Sequence, residues 1–497
     1  MILAIDQGTT GTTCLVFDTA GELVGEAQRE FAQHFPHPGW VEHDLEEIWA
    51  VTHAVAGEAL ADGGVRPGEL IAVGITNQRE TVCVWDPRSG EPLHRAIVWQ
   101  DRRTAARCDA LRADGHEARV RELTGLPLDP YFSATKIEWL LGHVEGLRAR
   151  AAAGGAVFGT IDAWLMHRLT GEFVTDPTNA SRTQLCDIAT ARWSEELLEL
   201  FGGIDPAWLP RIATSAGTLG HTRPECLHGH AVPVSGVAGD QQAALFGQAC
   251  LDPGMGKNTY GTGSFVLLQT GPARPEPMPG LLSTLAPAIG PRLNYALEAS
   301  IFVTGAAVQW LRDGLGIISA AAETEALAAG LASNDDVYFV PALTGLGSPH
   351  WDPYARGTII GLTRGATRAH LARATLEAIA YQTVDAIAAM SDHSRCAELR
   401  ADGGATENAW LMQFQADVLG VPVLLPEVTQ TTALGAAYLA GVGVGLWTLS
   451  EVGEHWSERR RFEPRMSADE RASLIAGWRR AVERARGWAD AEPGAEA

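Results

Sequence analysis

The segment MILAIDQGTTGTTCLVFD, residues 1–18, sets the plan of the chain. An apolar run over Met1–Asp6 breaks at a polar turn of glycine and threonine, and a second apolar run follows over Thr13–Asp18. Short apolar runs bounded by such turns are typical of β-strands. Backbone N–H groups in a glycine-rich turn concentrate positive potential and bind phosphate without a lysine. The segment therefore predicts two strands joined by a phosphate-binding loop, Gly8–Thr13.

The same pattern returns in the second half of the chain, where Gly256–Gly263 leads into an apolar run over Ser264–Thr270. The other predicted strands are Leu23–Phe31, Ile71–Gln78, Thr81–Trp85, Leu293–Ser300, Val337–Pro341 and Glu398–Ala401, and the predicted helices are Asp44–Ala61, Gly305–Leu315 and Arg368–Met390. Strands interspersed with helices predict an α/β protein. The repetition predicts two domains of similar plan, which we assign to residues 1–247 and 248–497 because a turn, Asp252–Gly254, follows closely.

Charge and composition exclude several classes of partner. The 497 residues carry 38 basic and 60 acidic side chains, a formal net charge of −22. Binding along a nucleic-acid backbone or to anionic lipid needs a basic face, so neither is expected. The longest uncharged stretch, Val428–Ser450, contains threonines and four glycines. It predicts a buried core helix that ends in a glycine turn, and no membrane insertion.

The cysteines and the first residues of the chain indicate in which cellular compartment the protein is expected. The seven cysteines are scattered without a C-x-x-C pair, which is typical of reduced thiols. The first residues lack the basic region of a signal peptide, and Asp6 interrupts the apolar start. We therefore expect a cytoplasmic protein.

Two carboxylates accompany the two glycine–threonine loops. Asp6 ends the first strand beside the first loop, where it is suited to hold Mg²⁺ through water. Asp240 follows an apolar stretch at the start of a predicted helix. It is either an ordinary helix N-cap or a general base that accepts a proton from an alcohol.

A third polar cluster lies between two predicted strands, in Thr76–Thr81 (TNQRET). Its Arg79 and Glu80 are either a solvated hairpin tip or a donor–acceptor pair for the hydroxyls of a small polyol. Trp99, Tyr131 and Phe265 are either core aromatics or the apolar wall of such a site.

Eight motifs follow one another along the chain: Asp6–Thr10, Asn77–Thr81, Ile97–Thr104 (IVWQDRRT), Asp129–Lys136 (DPYFSATK), Gly239–Gly247 (GDQQAALFG), Asn258–Phe265 (NTYGTGSF), Ala307–Asp313 (AVQWLRD) and Asp402–Ala405 (DGGA). In this order they resemble the FGGY carbohydrate kinases, from residue 2 to about residue 445. The block Gln78–Thr81 resembles the glycerol-specific members of that family. The resemblance implies two actin-like (ribonuclease H-like) domains around a central cleft, and transfer of phosphate from ATP to glycerol.

The resemblance also implies roles for particular residues. Asp240 would be the general base, Asp6 would hold Mg²⁺, and the reaction would yield sn-glycerol 3-phosphate. The residues implied to bind glycerol are Arg79, Glu80, Trp99, Tyr131, Asp240, Gln241 and Phe265. The residues implied to bind ATP are Thr9, Thr10, Gly11, Thr13, Thr262, Gly305, Gln309, Gly404 and Asn408. Members of the family commonly form homodimers or homotetramers.

Two departures from the family pattern affect ligands. Thr13 lies where the family usually has an arginine that approaches the nucleotide phosphates, which leaves that task to backbone amides and Mg²⁺. The segment His228–Pro233 (HGHAVP) lacks the glycine–arginine loop through which fructose bisphosphate inhibits some members. Two rival functions stay open at this point: a kinase for another polyol or sugar, and an actin-like or chaperone-like ATPase.

Overall fold

The computed structural model describes residues 1–227 and 229–489, so His228 and residues 490–497 of the second predicted domain lie outside the description. The strands of the described residues are β1 (Ile2–Gln7), β2 (Gly11–Phe17), β3 (Leu23–Glu30), β4 (Glu42–His43), β5 (Ala72–Asn77), β6 (Val82–Trp85), β7 (Ala96–Ile97), β8 (Val157–Thr160), β9 (Val174–Thr175), β10 (Cys186–Asp187), β11 (Arg192–Trp193), β12 (Arg211–Ile212), β13 (Ala216–His221), β14 (Pro233–Gly239), β15 (Met255–Tyr260), β16 (Ser264–Gly271), β17 (Leu282–Leu285), β18 (Tyr295–Ile301), β19 (Tyr338–Val340), β20 (Thr358–Ile360), β21 (Glu398–Asp402), β22 (Val423–Pro426) and β23 (Glu458–Phe462).

The α-helices of the same residues are α1 (Leu45–Asp62), α2 (Ala105–Ala113), α3 (Glu117–Thr124), α4 (Ala134–His143), α5 (Leu147–Ala152), α6 (Ile161–Thr170), α7 (Pro177–Ala180), α8 (Glu195–Leu200), α9 (Asp240–Gly247), α10 (Gly305–Gln309), α11 (Glu323–Ala329), α12 (Arg368–Met390), α13 (Ala409–Leu419), α14 (Thr431–Gly443), α15 (Leu449–His455) and α16 (Ala468–Ala485).

The two large sheets share one plan. In the first, β3-β2-β1 is an antiparallel meander, β5 and β14 continue it in parallel with β1, and β13 adds an antiparallel edge. In the second, β18-β16-β15-β21-β22 repeats this order and β23 forms the corresponding edge, with β17 added outside β18. The predicted α/β class and the repetition between the two halves are therefore confirmed.

This plan places the polar segments that the sequence analysis singled out. Parallel strands end at the same edge of a sheet, and ligands of open α/β sheets bind there. The segments after β1, β5 and β14 are Gly8–Thr10, Gln78–Thr81 and Asp240, so all three meet at one edge of the first sheet. In the second sheet, the loops after β15 and β21 meet in the same way.

The first loop is shorter than predicted. β2 already begins at Gly11, which pairs with Glu30 of β3, so the turn itself spans residues 8–10. A Cβ atom on Gly11 would lie 2.7 Å from the carbonyl oxygen of Arg29, closer than such atoms approach. Strand pairing on both sides of β2 therefore fixes where the loop ends.

Helix α14 joins the two halves of the chain. It packs on the first sheet although it follows β22 of the second, and it is buried along most of its length. It crosses α9 where two glycines meet: a Cβ on Gly435 would lie 1.8 Å from the carbonyl oxygen of Ala243, and one on Gly247 would lie 1.9 Å from that of Thr431. The prediction of a buried core helix in Val428–Ser450 is confirmed. None of the helices in the described residues is both long and apolar enough to cross a bilayer.

A separate lobe, formed by β4 and by the chain between β5 and β14, carries two of the predicted aromatic residues. Its sheet, β4-β7-β6-β8, packs with α4 and α5 around a core that includes Ile97, Leu140 and Phe158. Trp99 follows β7 and Tyr131 precedes α4, so this lobe brings both rings toward the end of β5.

Candidate active site

The site begins where β5 ends, at Arg79 and Glu80. Arg79 is 2% exposed and Glu80 is 1% exposed, so the alternative of a solvated hairpin tip is wrong. Glu80 has a φ of 62°, a left-handed conformation that is uncommon outside glycine and concentrates at functional sites. The Arg79 side chain runs over Gly239, where a Cβ atom would lie 2.6 Å from its Cγ and Cδ. The glycine before Asp240 therefore makes room for the arginine.

Arg79 and Glu80 belong to a buried group of four charged residues that we call the charge cluster: Arg79, Glu80, Arg182 and Glu298. Arg79 donates from Nη1 and Nη2 to the two carboxylate oxygens of Glu298, at 2.6 and 3.0 Å. Arg182 donates from Nε to Glu80 at 2.7 Å and from Nη2 to Glu298 at 3.1 Å. Burial disfavours the charged form of Glu298, but Arg182 and Arg79 outweigh it and lower its pKa to about 2. Burial is the larger influence on Glu80 and raises its pKa.

Arg182 and Glu298 were not predicted as site residues from the sequence. Glu298 lies in the middle of β18 and is fully buried, between Leu297 and Ala299. A carboxylate inside an apolar strand is itself a signal, because a buried charge requires a partner. That signal identifies Glu298 but not its partner Arg79, which lies 219 residues earlier. Arg182, after α7, has no comparable signal in its sequence.

Asp240 is the carboxylate that remains partly open, with 30% of its side chain exposed. Arg79 Nε lies 3.1 Å from its Oδ1, which also accepts a hydrogen bond from the backbone N–H of Gln241. The N-cap of α9 is Gly239, so Asp240 is the first residue inside the helix and the N-cap alternative is wrong. Its carboxylate therefore lies at a helix N-terminus and beside a guanidinium.

Both lysines of the chain lie in or next to this site. Lys257 is buried on β15 and donates to Gln241 Oε1 at 2.5 Å and to Thr259 Oγ1 at 2.9 Å. Lys136, on α4, donates to the carbonyl oxygens of Tyr131 at 2.9 Å and Phe132 at 3.1 Å. Burial lowers the pKa of each lysine to about 8. Lys257 therefore orients Gln241, and Lys136 holds the segment that carries the Tyr131 ring.

The aromatic residues form a wall next to the charge cluster. The rings of Trp99 and Tyr131 pack edge to face with centroids 5.4 Å apart, and the Arg182 guanidinium lies 5.6 Å from the Tyr131 centroid. Phe265, on β16, is partly buried and packs with Leu245 of α9. Glu298 pairs with Leu267, two residues from Phe265, so Phe265 and Glu298 lie on the same sheet face.

The first loop lies beside Asp6 and Asp240. Thr9 is partly buried and Thr10 is exposed, and Trp99 Nε1 donates to Thr9 Oγ1 at 2.9 Å. The Gln78 side chain donates to the carbonyl oxygen of Gly8 at 3.1 Å, so the residue before Arg79 holds the loop. Burial and the charge of Asp240 raise the pKa of Asp6 to about 7.

Thr13 lies directly opposite Asp6 in the β1–β2 pair. Opposed side chains of an antiparallel pair project from the same sheet face. An arginine at position 13 would therefore extend from the face that carries Asp6. The hydroxyl of Thr13 leaves that carboxylate without a cation opposite it.

The predicted nucleotide residues gather at the carboxyl ends of β15 and β21. The backbone N–H of Gly305 donates to the carbonyl oxygen of Gly261 at 3.1 Å, which brings α10 against the second loop and Thr262. Gly404 is exposed, with open space where a Cβ would lie, and Gln309 is exposed on α10. Asn408 caps α13 through a 2.9 Å hydrogen bond from Leu411 N–H, a structural role independent of any ligand.

The carboxylates present fit a hydrated Mg²⁺. Within residues 1–227 and 229–489, no three His, Cys, Asp or Glu side chains group as a metal cage. Mg²⁺ with a nucleotide usually needs only one or two carboxylates, because phosphate oxygens and water supply its other ligands. Asp6 makes no hydrogen bond or ion pair through its carboxylate with the described residues, and burial together with the nearby charge of Asp240 raises its pKa. A carboxylate in this setting is suited to a cation.

Comparison with known proteins agrees with the geometry. Residues 1–247 match the N-terminal domain of the FGGY family of carbohydrate kinases, and residues 256–444 match its C-terminal domain. The chain is 56% identical over 495 residues to glycerol kinase of Dechloromonas aromatica (strain RCB), covering 99% of this chain and 98% of that protein. It is 57% identical over 492 residues to glycerol kinase of Aromatoleum aromaticum, covering 98% and 99%.

Among solved structures, the fold matches Plasmodium falciparum glycerol kinase with ADP at a TM-score of 0.92. The two chains are 35% identical, and the match covers 97% of this chain and 98% of that one. Both the resemblance inferred from the motifs and the two-domain kinase fold are confirmed. On its sequence, fold and site together, the chain belongs to the FGGY family of carbohydrate kinases.

Proposed function

We propose that this protein transfers the γ-phosphoryl group of ATP to glycerol and releases sn-glycerol 3-phosphate. The observation that carries the proposal is the pairing of Arg79 with Asp240 at 3.1 Å, inside a buried cluster bordered by Trp99 and Tyr131. A three-carbon polyol needs both parts: charged groups for its hydroxyls and an apolar wall for its carbon chain. The glycerol kinases to which the chain is similar support the same substrate.

In the proposed reaction, Arg79, Glu80 and Gln241 bind the glycerol hydroxyls, and Trp99, Tyr131 and Phe265 pack against its carbons. Asp240 accepts the proton of a terminal hydroxyl as that oxygen attacks the γ-phosphorus in line with the leaving ADP oxygen. The Arg79 guanidinium lies 3.1 Å from Oδ1 and holds the Asp240 carboxylate in place for this step.

The two loops would stabilise the transferring phosphoryl group. Thr9, Thr10 and Gly11 from the first loop and Thr262 from the second would donate hydrogen bonds to phosphate oxygens. Thr13 would contribute at most a hydroxyl, while Gly305, Gln309, Gly404 and Asn408 would line the nucleotide pocket. Bound Mg²⁺ neutralises phosphate charge, and Asp6 would hold it through water.

The proposed activity also bears on the cellular location of the protein. We place the enzyme in the cytoplasm, where its substrate ATP is available, and its seven buried, unpaired cysteines fit a reducing compartment. The homodimer or homotetramer that the family implies, and the domain division at residues 247 and 248, stay predictions.

A coupled ADP-release assay tests the function. Glycerol should give much the highest kcat/KM in a panel with dihydroxyacetone, erythritol, xylulose and gluconate. Asp240→Asn should lower kcat by about 10²–10⁴-fold, the usual contribution of a general base, while glycerol still binds. Asp44→Asn is the matched control, because Asp44 is the N-cap of α1 and asparagine caps equally well. Preference for a sugar acid would refute glycerol as substrate, and near-normal turnover of Asp240→Asn would refute the base.

A further inference from the structure

The charge cluster joins two sheets that are far apart in sequence. Arg79, Glu80 and Arg182 come from segments around the first sheet, whereas Glu298 comes from β18 of the second. Glu298 accepts three hydrogen bonds from the two arginines and is fully buried. Gln242 strengthens the same contact, because it accepts from Arg79 at 3.1 Å and donates to Thr284 of β17 at 2.9 Å.

We propose that Glu298 is a positioning residue for glycerol, a role that rests on the proposed function. It holds the Arg79 guanidinium in the one orientation that turns Nε toward Asp240 and Glu80. The second sheet thereby completes the polyol site of the first, without Glu298 itself touching the substrate.

The geometry of the guanidinium carries this proposal. Arg79 presents its two terminal nitrogens to Glu298, and this fork-to-fork pairing fixes the plane of the group. Nε faces the site, where it lies 3.1 Å from Asp240 and 3.8 Å from Glu80. If the Glu298 carboxylate were absent, the terminal nitrogens would seek Asp240 or Glu80 and rotate the group out of that plane.

The charges of the cluster lead to the same conclusion. Two guanidinium groups share two buried carboxylates, and Arg182 also depends on Glu298 for one of its hydrogen bonds. Neutralising Glu298 leaves the two arginines with Glu80 and Asp240, the carboxylates proposed to act on glycerol. An uncompensated buried charge is strongly unfavourable, so the arginines would move.

A control is needed because removing any buried carboxylate can destabilise a fold. Glu377 provides it: this residue of α12 is also buried, ion-paired to Arg373 at 2.7 Å, and hydrogen-bonded by Asn334 at 2.8 Å. It makes no contact with the charge cluster in the described residues. Glu298→Gln and Glu377→Gln are therefore the same chemical change inside and outside the site.

The test compares these variants by steady-state kinetics and by the thermal shift that glycerol induces. Glu298→Gln should raise the KM for glycerol at least tenfold and abolish the glycerol-induced shift, while the KM for ATP stays within twofold. Glu377→Gln should lower the melting temperature without changing either KM. Glu298→Asp, which keeps the charge on a shorter side chain, should give a glycerol KM between those of wild type and Glu298→Gln.

The outcomes separate the two proposals. An unchanged glycerol KM in folded Glu298→Gln, or equal changes in both glutamine variants, overturns the positioning role. If Glu298→Gln does not fold, Glu298→Asp decides the question, and a wild-type glycerol KM in that variant overturns it. A wild-type enzyme inactive on glycerol refutes the proposed function instead, and the same variants are then judged on the KM for the polyol that it accepts.

Discussion

The indole Nε1 of Trp99 donates a 2.9 Å hydrogen bond to the Oγ1 of Thr9. One partner belongs to the aromatic wall of the proposed polyol site and the other to the first predicted phosphate loop. The position of the wall and that of the loop are therefore tied by a single contact, before any ligand is considered.

This contact predicts coupling between the two substrates. Thr9→Val keeps the shape of the side chain but removes the acceptor, and Trp99→Phe keeps an apolar ring but removes the donor. Each should raise the KM for glycerol and for ATP together. The double variant should be no worse than the poorer single one, with a coupling energy of about 0.5–1.5 kcal/mol in a double-mutant cycle. Additive effects would show that the contact does not couple the sites.

A second prediction concerns the room that Gly239 leaves for Arg79. Gly239→Ala places a methyl group 2.6 Å from Arg79 Cγ and Cδ, so the guanidinium must move away from Asp240. We expect kcat/KM for glycerol to fall at least tenfold, roughly the loss of a charge-assisted hydrogen bond. Gly57→Ala on α1 is the control, because a Cβ there meets nothing within 4 Å. Normal kinetics in Gly239→Ala would show that the arginine adapts without loss.

A third prediction follows from the raised pKa of Asp6. Its pKa is about 7 in the folded protein against an ordinary value of 3.8, so the folded state binds the extra proton between these values. Binding of this proton stabilises the folded state at low pH. The free energy of unfolding therefore falls as the pH rises toward 7 and Asp6 loses the proton. Asp6→Asn should therefore melt higher than wild type at pH 8, by roughly 3–6 °C, with the difference disappearing near pH 4. Nucleotide-free thermal unfolding across this pH range checks it, and a pH-independent difference would contradict it.

A fourth prediction concerns an arginine placed opposite Asp6, where the chain has Thr13. Thr13→Arg places a guanidinium on the strand position opposite Asp6, where it should favour the ionised carboxylate and lower its pKa. The pH at which the KM for ATP rises on acidification should move to lower values. Thr13→Gln, of similar length without charge, is the control and should keep the wild-type profile. Identical profiles for the arginine and glutamine variants would argue against an electrostatic effect.

Local patterns in the sequence predicted much of the fold and of the site. Apolar runs and the glycine–threonine turns between them identified β1, β2, β15 and β16, because these signals arise from neighbouring residues. They also identified Arg79, Glu80 and Asp240 as candidates, since polar residues directly after apolar strands lie at the sheet edge. The length of the first loop was wrong, because Gly11 is held in β2 by pairing with β3, a contact that its neighbours in sequence do not reveal.

The contacts of Arg182 and Glu298 are the part of the site that the sequence could not predict. Their ion pairs join residues 102 to 219 positions apart, and no periodicity in a single segment encodes such a pairing. The same holds at Arg79, where burial against the second sheet excludes the solvated hairpin tip. Binding of a polyol there stays a prediction.

By itself, the amino-acid sequence determined the α/β class, the repetition of the two halves, the two glycine–threonine loops and the candidate for the base, because each depends on residues close together in the chain. Only the tertiary structure decided which charges meet. Glu298 orients Arg79, Lys257 orients Gln241, and Asp6 acquires its raised pKa because folding removes these groups from water and brings them to within a few ångströms of one another.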